Sequence, residues 1–585
     1  MSAFKFVRFI FSASAFCCAT LFAAGPESEL HERVMLNSRQ DNAAGANLLA
    51  GAMQDCAGRI AAGSRSIVTR RAFELVLTEA QDAIATFVSP EAMKVFAGYL
   101  PRLAPDAAIT LLFALKTAPA HADVDAAAAK MLAPGMDFRV RTALMELLGA
   151  HHYAPAVDKI ALGLNPLENP SIQIAACRAL AQIPDKKALP DLIKYMNALS
   201  AKGGRYKYEA TAALRALSGE HIEANPALWS AWWEQHKKDF APDASKAAAP
   251  DFNFELSEKQ ELEYYEVPVV ENRLVIILDC SGSMSMGGKP NRIDSAKKEL
   301  KGFINSLNDK QLFNLVCFSS TLRRWKKDNG LLPGTDANKK DAIKFLDTQH
   351  EGGGTQTMLA MEDVLRDIAT MHGCETVYLV TDGNPNPWAK DITAEQQERL
   401  LHWINQPLKI RINTIGIYSI TKQDQDMMAS LHEVEDVDKM KKFLIDIAEN
   451  NDGVYREVGK DGSNKVVKTE TKKQQAAREK EEKEKADKAA KEKEEKEKAA
   501  KEAAANPVNK DAPDVKKDDP PAKEEPVLKL DKKEQPPKKD TPAPDKNTPV
   551  IEAPKSDKDI DLPFKIERRK EVPPEKKEAK KDETE

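Results

Sequence analysis

The sequence predicts a multi-domain chain: an α-helical solenoid, then a doubly wound (Rossmann-like) α/β domain, then a disordered charged tail. Three observations carry this. Residues 27 to 240 are alanine-rich and helically patterned, with short elements broken by Pro, Gly or polar turns. From residue 271 onward, apolar strand-like runs alternate with amphipathic helices. Beyond about residue 459, Lys, Glu and Pro replace the large apolar residues. At 585 residues the chain is too long for one compact core. Its 30% charged residues leave a formal net charge of only -5, which gives no case for nucleic acid or a membrane surface as partner.

Residues 1–24 read as a signal peptide. Lys5 and Arg8 form a basic start, Phe9 to Phe22 is apolar or small, and "LFAAG" supplies small residues for cleavage near Ala24. An uncleaved signal-anchor is the alternative, though the apolar run is short for a span. The expected destination is the periplasm, cell envelope or extracellular space, with no transmembrane segment in the mature chain. Cys17 and Cys18 leave with the signal; the remaining Cys56, Cys177, Cys280, Cys317 and Cys374 are an odd, scattered set and form no disulfide framework. Cys177 and Cys317 lie inside apolar patterns and read as buried thiols.

In the helical region, "TALMEL", "AACRAL" and "AALRAL" begin at residues 142, 175 and 212, spacings of 33 and 37 residues. Such a period suits stacked helix pairs, and the segment resembles a HEAT-type array, most clearly in its last units. "NPALWSAWWEQH" ends it: Asn225 is the expected N-cap and Pro226 the first helical residue. Trp229, Trp232 and Trp233 then share one helix face and read as a cap over the last core rather than a binding platform. His151 and His152 fall in a turn, without partners at ligand spacing, and are expected at the surface. Residues 241–270 are expected to be a linker.

Between 271 and 458, "RLVIILD" (273–279), "QLFNLVCFS" (311–319), "ETVYLVTDG" (375–383) and "RINTIGIY" (411–418) are the strands. The helices are "RIDSAKKELKGFINSL", "TMLAMEDVLRDIA", "AEQQERLLHWI" and "DVDKMKKFLIDIAE". Ligands of such folds sit at the carboxyl ends of the strands. There the first strand delivers "DCSGS", with Asp279, Ser281 and Ser283; "EGGGTQT" offers Thr355; and "LVTDGNP" ends a strand in Asp382. Only oxygen donors converge, which suits Mg²⁺, Mn²⁺ or Ca²⁺ rather than Zn²⁺. No His lies within these motifs and no Gly-x-Ser-x-Gly elbow surrounds the serines, so they do not read as a hydrolase; no catalytic residue is assigned.

"DCSGS", "GGGT" and "TDG", in that order and in this α/β frame, resemble the metal-ion-dependent adhesion site of the von Willebrand factor type A (VWA) domain. The resemblance covers about residues 271–458. It implies that Asp279, Ser281, Ser283, Thr355 and Asp382 surround one divalent cation, Mg²⁺ foremost. It also implies that an open coordination position receives an acidic side chain of a protein partner. The expected function is therefore exported, metal-dependent protein recognition, without enzymatic activity. One alternative is a subunit assisting a chelatase or ATPase-linked assembly, although no Gly-x-x-x-x-Gly-Lys-[Ser/Thr] loop occurs. Another is a mainly structural envelope scaffold.

The end of the chain divides into a Lys/Glu-rich helix or coiled segment (459–505) and a Pro-rich disordered tail (506–585). Within the tail, Ile560, Leu562, Phe564 and Ile566 alternate with Asp561, Pro563 and Lys565. That spacing suits either an edge strand docking in an exposed groove or a chance cluster in a spacer.

Overall fold

The computed structural model describes residues 26–63, 67–199, 204–242, 262–326, 330–383, 392–419 and 437–458, and the backbone of 466–468. The expected signal peptide, the segment from 469 onward and the apolar cluster at 560–566 lie outside the described residues.

The helical region consists of α1 (Pro26–Asn37), α2 (Ala43–Ala61), α3 (Ile67–Ile84), α4 (Pro90–Tyr99), α5 (Pro105–Thr117) and α6 (Ala122–Met131). It continues with α7 (Phe138–Ala150), α8 (Val157–Ala161), α9 (Pro170–Gln182), α10 (Ala188–Ala198), α11 (Gly204–Ser218) and α12 (Pro226–His236). Side-chain caps and prolines set many of these starts. Asn42, Ser89, Asp137, Asn169 and Asn225 each accept a backbone N–H of the first turn, and Pro follows Ser89, Asn169 and Asn225 at the first helical position. The helices stack in two layers: α3, α5, α7, α9 and α11 form one, and α2, α4, α6 and then α8, α10 and α12 form the other. "TALMEL", "AACRAL" and "AALRAL" fall on α7, α9 and α11, consecutive helices of one layer. The layer extends back through α5 and α3, where the sequence period is not legible. Trp229 is fully buried, donating its indole N–H to Glu223 O at 3.0 Å, with Trp232 edge-on against it, so α12 closes the end of the stack.

The α/β domain begins with a hairpin, β1 (Glu263–Tyr264) and β2 (Val267–Pro268). The elements that follow are β3 (Arg273–Asp279), α13 (Arg292–Ser306), β4 (Leu312–Phe318), β5 (Leu322–Arg324), β6 (Leu332–Pro333), α14 (Asp336–Asp347) and α15 (Thr357–Asp363). α15 runs on into a wider π-helical turn, Val364–Ala369. β7 (Thr376–Thr381), α16 (Ala394–Asn405), β8 (Arg411–Ile417), α17 (Val437–Glu449), β9 (Tyr455–Val458) and β10 (Val466–Lys468) complete it. The sheet order is β10-β9-β8-β7-β3-β4-β5, with β6 also on β4; β4, β3, β7, β8 and β9 are mutually parallel. The chain leaves β3 toward β4, then returns past it to β7. The winding therefore reverses beside β3, and the crevice at its carboxyl end is where such sheets bind ligands.

Two expectations need correction. The segment 262–270 is no linker: its hairpin buries Tyr264, Val267 and Val269, and the Tyr264 ring stacks on Phe303 of α13. The domain also does not stop at 458, since β10 pairs antiparallel with β9 through Val466–Lys468. "NKVVK" was hidden because its two valines border a long charged run.

The α/β domain is not an independent bead either. One face of its sheet, with Val275, Ile277, Val377 and Leu379, shares a continuous apolar core with the helical stack. The layer α3–α11 supplies the contacts, and its buried polar groups are matched to the α/β domain. Arg71 pairs with Glu362 at 2.5 Å and Glu74 with Arg366 at 2.6 Å. Trp403 donates to Thr110 at 3.1 Å, and Ser171 to Leu408 O at 2.7 Å. Glu146 meets Lys116 and Lys409; burial alone would raise its pKa, but these lysines and Arg178 together hold it down at about 2. Glu209 takes both Arg178, through two bonds of 3.0 and 2.9 Å, and Arg205 at 3.1 Å, while Arg178 continues to Asp452 at 2.7 Å.

Glu375 lies in this junction, accepting from Tyr206 Oη at 2.8 Å and from the Asn272 N–H at 3.2 Å. Burial, with a smaller push from Glu271, raises its pKa from 4.5 to about 7 against the pull of Tyr206, Asn272 and Arg273. The folded state therefore favours the protonated acid. Its stabilising share is complete below pH 4.5 and lost as pH rises through about 7. Glu375→Gln should accordingly raise stability by on the order of 3 kcal/mol at pH 8 and change it little at pH 4. Urea melts at both pH values check this; an equal shift at the two would defeat it.

Candidate metal-ion site

The predicted donors are brought together at the carboxyl edge of the sheet. Asp279 is the last residue of β3 and is fully buried; Asp382 directly follows β7, its parallel neighbour, and is fully buried too. The loop after β3 stays registered with the sheet because the Cys280 N–H donates to Phe318 O at 2.7 Å. It is also zipped to the glycine loop that carries Thr355: Gly352 N–H donates to Cys280 O at 2.9 Å, and Gly282 N–H to Gly353 O at 3.0 Å. Gly353 sits at φ 82°, and a Cβ there would lie 2.6 Å from Ser320 Oγ, which bonds the next N–H, that of Gly354. Only glycine permits both the left-handed backbone and the close approach.

Every carboxylate oxygen is engaged. Asp279 Oδ1 accepts from the Ser281 N–H at 2.7 Å and Oδ2 from Thr381 Oγ1 at 2.5 Å. Asp382 Oδ1 accepts from Ser283 Oγ at 2.8 Å, and Oδ2 from Arg292 Nη1 at 2.7 Å. Burial, then the neighbouring Asp382, raises the Asp279 pKa to about 7. Burial also raises that of Asp382, against the pull of Arg292.

Do these residues suit a hard divalent cation? Ser283 gives its proton to Asp382 and accepts at most one from Ser281, so a lone pair remains available. Ser281 Oγ and Ser283 Oγ are 3.1 Å apart. That is close to the roughly 3 Å between adjacent oxygens of an octahedral shell with bonds of about 2.1 Å. A Cβ added at Gly383 would lie 3.6 Å from Thr355 Cγ2, 3.7 Å from Thr355 Oγ1 and 3.8 Å from Ser283 Oγ, so the Thr355 and Ser283 side chains border the same spot. Two buried like charges with partial compensation also call for positive charge. Hydroxyls and carboxylates without thiol or imidazole match Mg²⁺ or Mn²⁺. No cluster of three or more His, Cys, Asp or Glu able to hold a metal occurs among the described residues, so the hydroxyls are what would complete this site. The residues fit the cation.

Residues 272–435 match the family model of the von Willebrand factor type A domain. A VWA-like α/β sheet domain thus follows an N-terminal helical region in this chain. Similar proteins include a von Willebrand factor A domain-containing protein of Dictyostelium discoideum. It is 27% identical over 150 residues, which cover 26% of this chain and 15% of that protein. Inter alpha-trypsin inhibitor heavy chain 4 of Mus musculus is 28% identical over 127 residues, covering 20% and 13%. The match to these relatives thus spans well under a fifth of their length. Among solved structures, the manganese-loaded TRAP protein of Plasmodium vivax matches at 23% identity and a TM-score of 0.20, over 29% of this chain and 72% of that one.

Two partners of the site lie outside the motifs: Thr381, at the end of β7, and Arg292, at the start of α13. The alternation in "YLVTD" places Thr381 beside the motif, so its role was legible; that of Arg292 depends on tertiary approach. His151 corrects another expectation. Its side chain is 3% exposed, with Nδ1 2.5 Å from Asp125 and Nε2 3.0 Å from Leu115 O, so it ties helices together rather than facing solvent. His152 is exposed, as expected, and the five cysteines are free and buried.

Proposed function

We propose that this protein is a metal-dependent protein-binding module that works outside the cytoplasm, is not an enzyme, and uses its type A domain to capture an acidic side chain of a partner. The convergence of Asp279, Ser281, Ser283, Thr355 and Asp382 at the sheet's winding reversal supports this most directly. A divalent cation there, Mg²⁺ foremost, would supply a Lewis-acidic position for the partner's carboxylate. The protein's part is to hold the two serine hydroxyls and Thr355 in one place and keep both carboxylates dry. The helical stack, read as HEAT-like, buries its polar layer on the α/β domain and so serves as a rigid mount. No helix among the described residues is long and apolar enough to cross a membrane. Export rests on the N-terminal sequence, and a mature N-terminus found at Met1 or Ser2 would count against cleavage.

The full chain titrated with Mn²⁺ and Mg²⁺ by calorimetry tests the site. One cation per chain is expected, together with chelator-sensitive retention of partner proteins whose binding segment contains Asp or Glu. Absence of cation binding would end the reading. Cation binding with partner capture insensitive to chelator would favour the scaffold alternative.

A further inference from the structure

Arg292 is a charged feature of the site that the donor set does not require. It opens α13, just past the loop that carries Ser281 and Ser283, and is 1% exposed. Its Nη1 donates to Asp382 Oδ2 at 2.7 Å and its Nε to Ser419 O at 2.7 Å, beyond the carboxyl end of β8. The guanidinium is therefore clamped between two strand ends and cannot swing away without losing both bonds. Tight backbone supports the clamp: Gly287, at φ 98°, has no room for a Cβ, which would meet Ser419 Oγ at 2.7 Å.

The formal charge of the dry cluster follows. Asp279 and Asp382 supply two negative charges and Arg292 returns one, so the cluster stands at minus one rather than minus two. A bound divalent ion then leaves plus one instead of zero. Both carboxylates and the guanidinium are buried, so such a difference is only partly screened. It acts in opposite directions on two equilibria: like charge opposes entry of the cation, and residual positive charge favours an incoming carboxylate.

We propose that Arg292 is a built-in counter-ion that weakens the site's hold on the cation in order to strengthen the loaded site's hold on an acidic side chain. This rests on the cation-site reading above. It makes Arg292 an affinity-setting residue, acting through Asp382 and not as a ligand.

The test compares full-length wild type, Arg292→Gln and Arg292→Lys. Mn²⁺ affinity is measured by calorimetry, and acetate binding to the Mn²⁺-loaded protein by the loss of water-proton relaxation enhancement. Glutamine keeps a donor for Asp382 without charge. Lysine keeps the charge but is too short and undivided to span Asp382 and Ser419. Mn²⁺ affinity should rise in the order Arg, Lys, Gln, by roughly tenfold or more from first to last, the scale on which residues behind metal ligands act. Acetate affinity of the loaded protein should fall in the same order. If wild type binds no Mn²⁺, the cation-site reading itself fails. If wild type binds and Arg292→Gln binds equally or more weakly, the charge-setting role is overturned, and weaker binding shows that Arg292 merely positions Asp382. Should Arg292→Gln not fold, Arg292→Met, which removes the charge and keeps the aliphatic stem, decides: Mn²⁺ binding tighter than wild type supports the proposal, and equal or weaker binding overturns it.

Discussion

Asp279→Asn should lower cation affinity by about 100-fold or more, at least the upper end of what losing a residue behind the ligands costs, while leaving the cation-free fold as stable as wild type or more so. Both halves come from the same geometry. Asp279 is fully buried and close enough to Asp382 that burial and that neighbour push its pKa to about 7. Without a cation its charge strains the fold, and asparagine removes the charge while keeping an acceptor for Thr381 or the Ser281 N–H. With a cation the same charge is what the site lacks after substitution. Melting with and without Mg²⁺ reads the difference. Wild type should gain about 2.7 kcal/mol at a cation concentration 100 times its Kd, and the variant close to nothing. Undiminished Mn²⁺ affinity in Asp279→Asn would remove Asp279 from the site. A variant that cannot fold even with chelator present would show that this carboxylate holds the sheet edge together instead.

The site was legible because its residues act through local chain geometry. Asp279, Ser281 and Ser283 sit one residue apart on one loop, and Asp382 ends a neighbouring strand, so strand identification alone places them at one edge. The central strands were legible for a similar reason: β3, β4, β7 and β8 are buried on both faces, β3 and β7 carry continuous apolar runs, and β4 and β8 are rich in large apolar residues broken only by Asn314 and by Asn413 and Thr414. Edge elements were not. β5, β6 and β10 are short, as is β9 beside β10, and α14, "DANKKDAIKFLD", buries only Ala342 and Leu346. The largest omission was the junction. Nothing in the sequence marks Glu146, Arg178 or Arg205 as buried, because a charge in an alanine-rich helix usually faces water. Their partners, Lys409 and Asp452, lie more than 200 residues away in the chain. Nothing in local periodicity distinguishes a solvated arginine from one matched to a carboxylate on another domain.

That junction yields the second large effect: Glu209→Ala should destabilise the protein by about 3–5 kcal/mol, the cost of leaving buried charge without its partner. Glu209 is fully buried and takes two bonds from Arg178 and one from Arg205, itself fully buried. The remaining carboxylate, Asp452, is 37% exposed at its side chain and must then serve two guanidinium groups alone. Arg205 also donates to the carbonyls of Glu375 and Lys409, so its displacement frees the amino ends of β7 and β8 from the helical stack. Faster hydrogen exchange is expected around residues 409–413 and 451–454 before global unfolding, since that is where the stack grips the α/β domain. The cation site lies at the opposite, carboxyl ends of the same strands. Mn²⁺ affinity should therefore stay within about threefold of wild type, as expected for distant sites without shared partners. Replacing the whole cluster by Arg178→Leu, Arg205→Met, Glu209→Leu and Asp452→Asn should recover much of the lost stability, because the penalty arises from unpaired charge rather than from a missing attraction. A Glu209→Ala protein as stable as wild type would show that solvent reaches this cluster. A loss of Mn²⁺ affinity in step with the loss of stability would show instead that the stack and the cation site are coupled through the sheet.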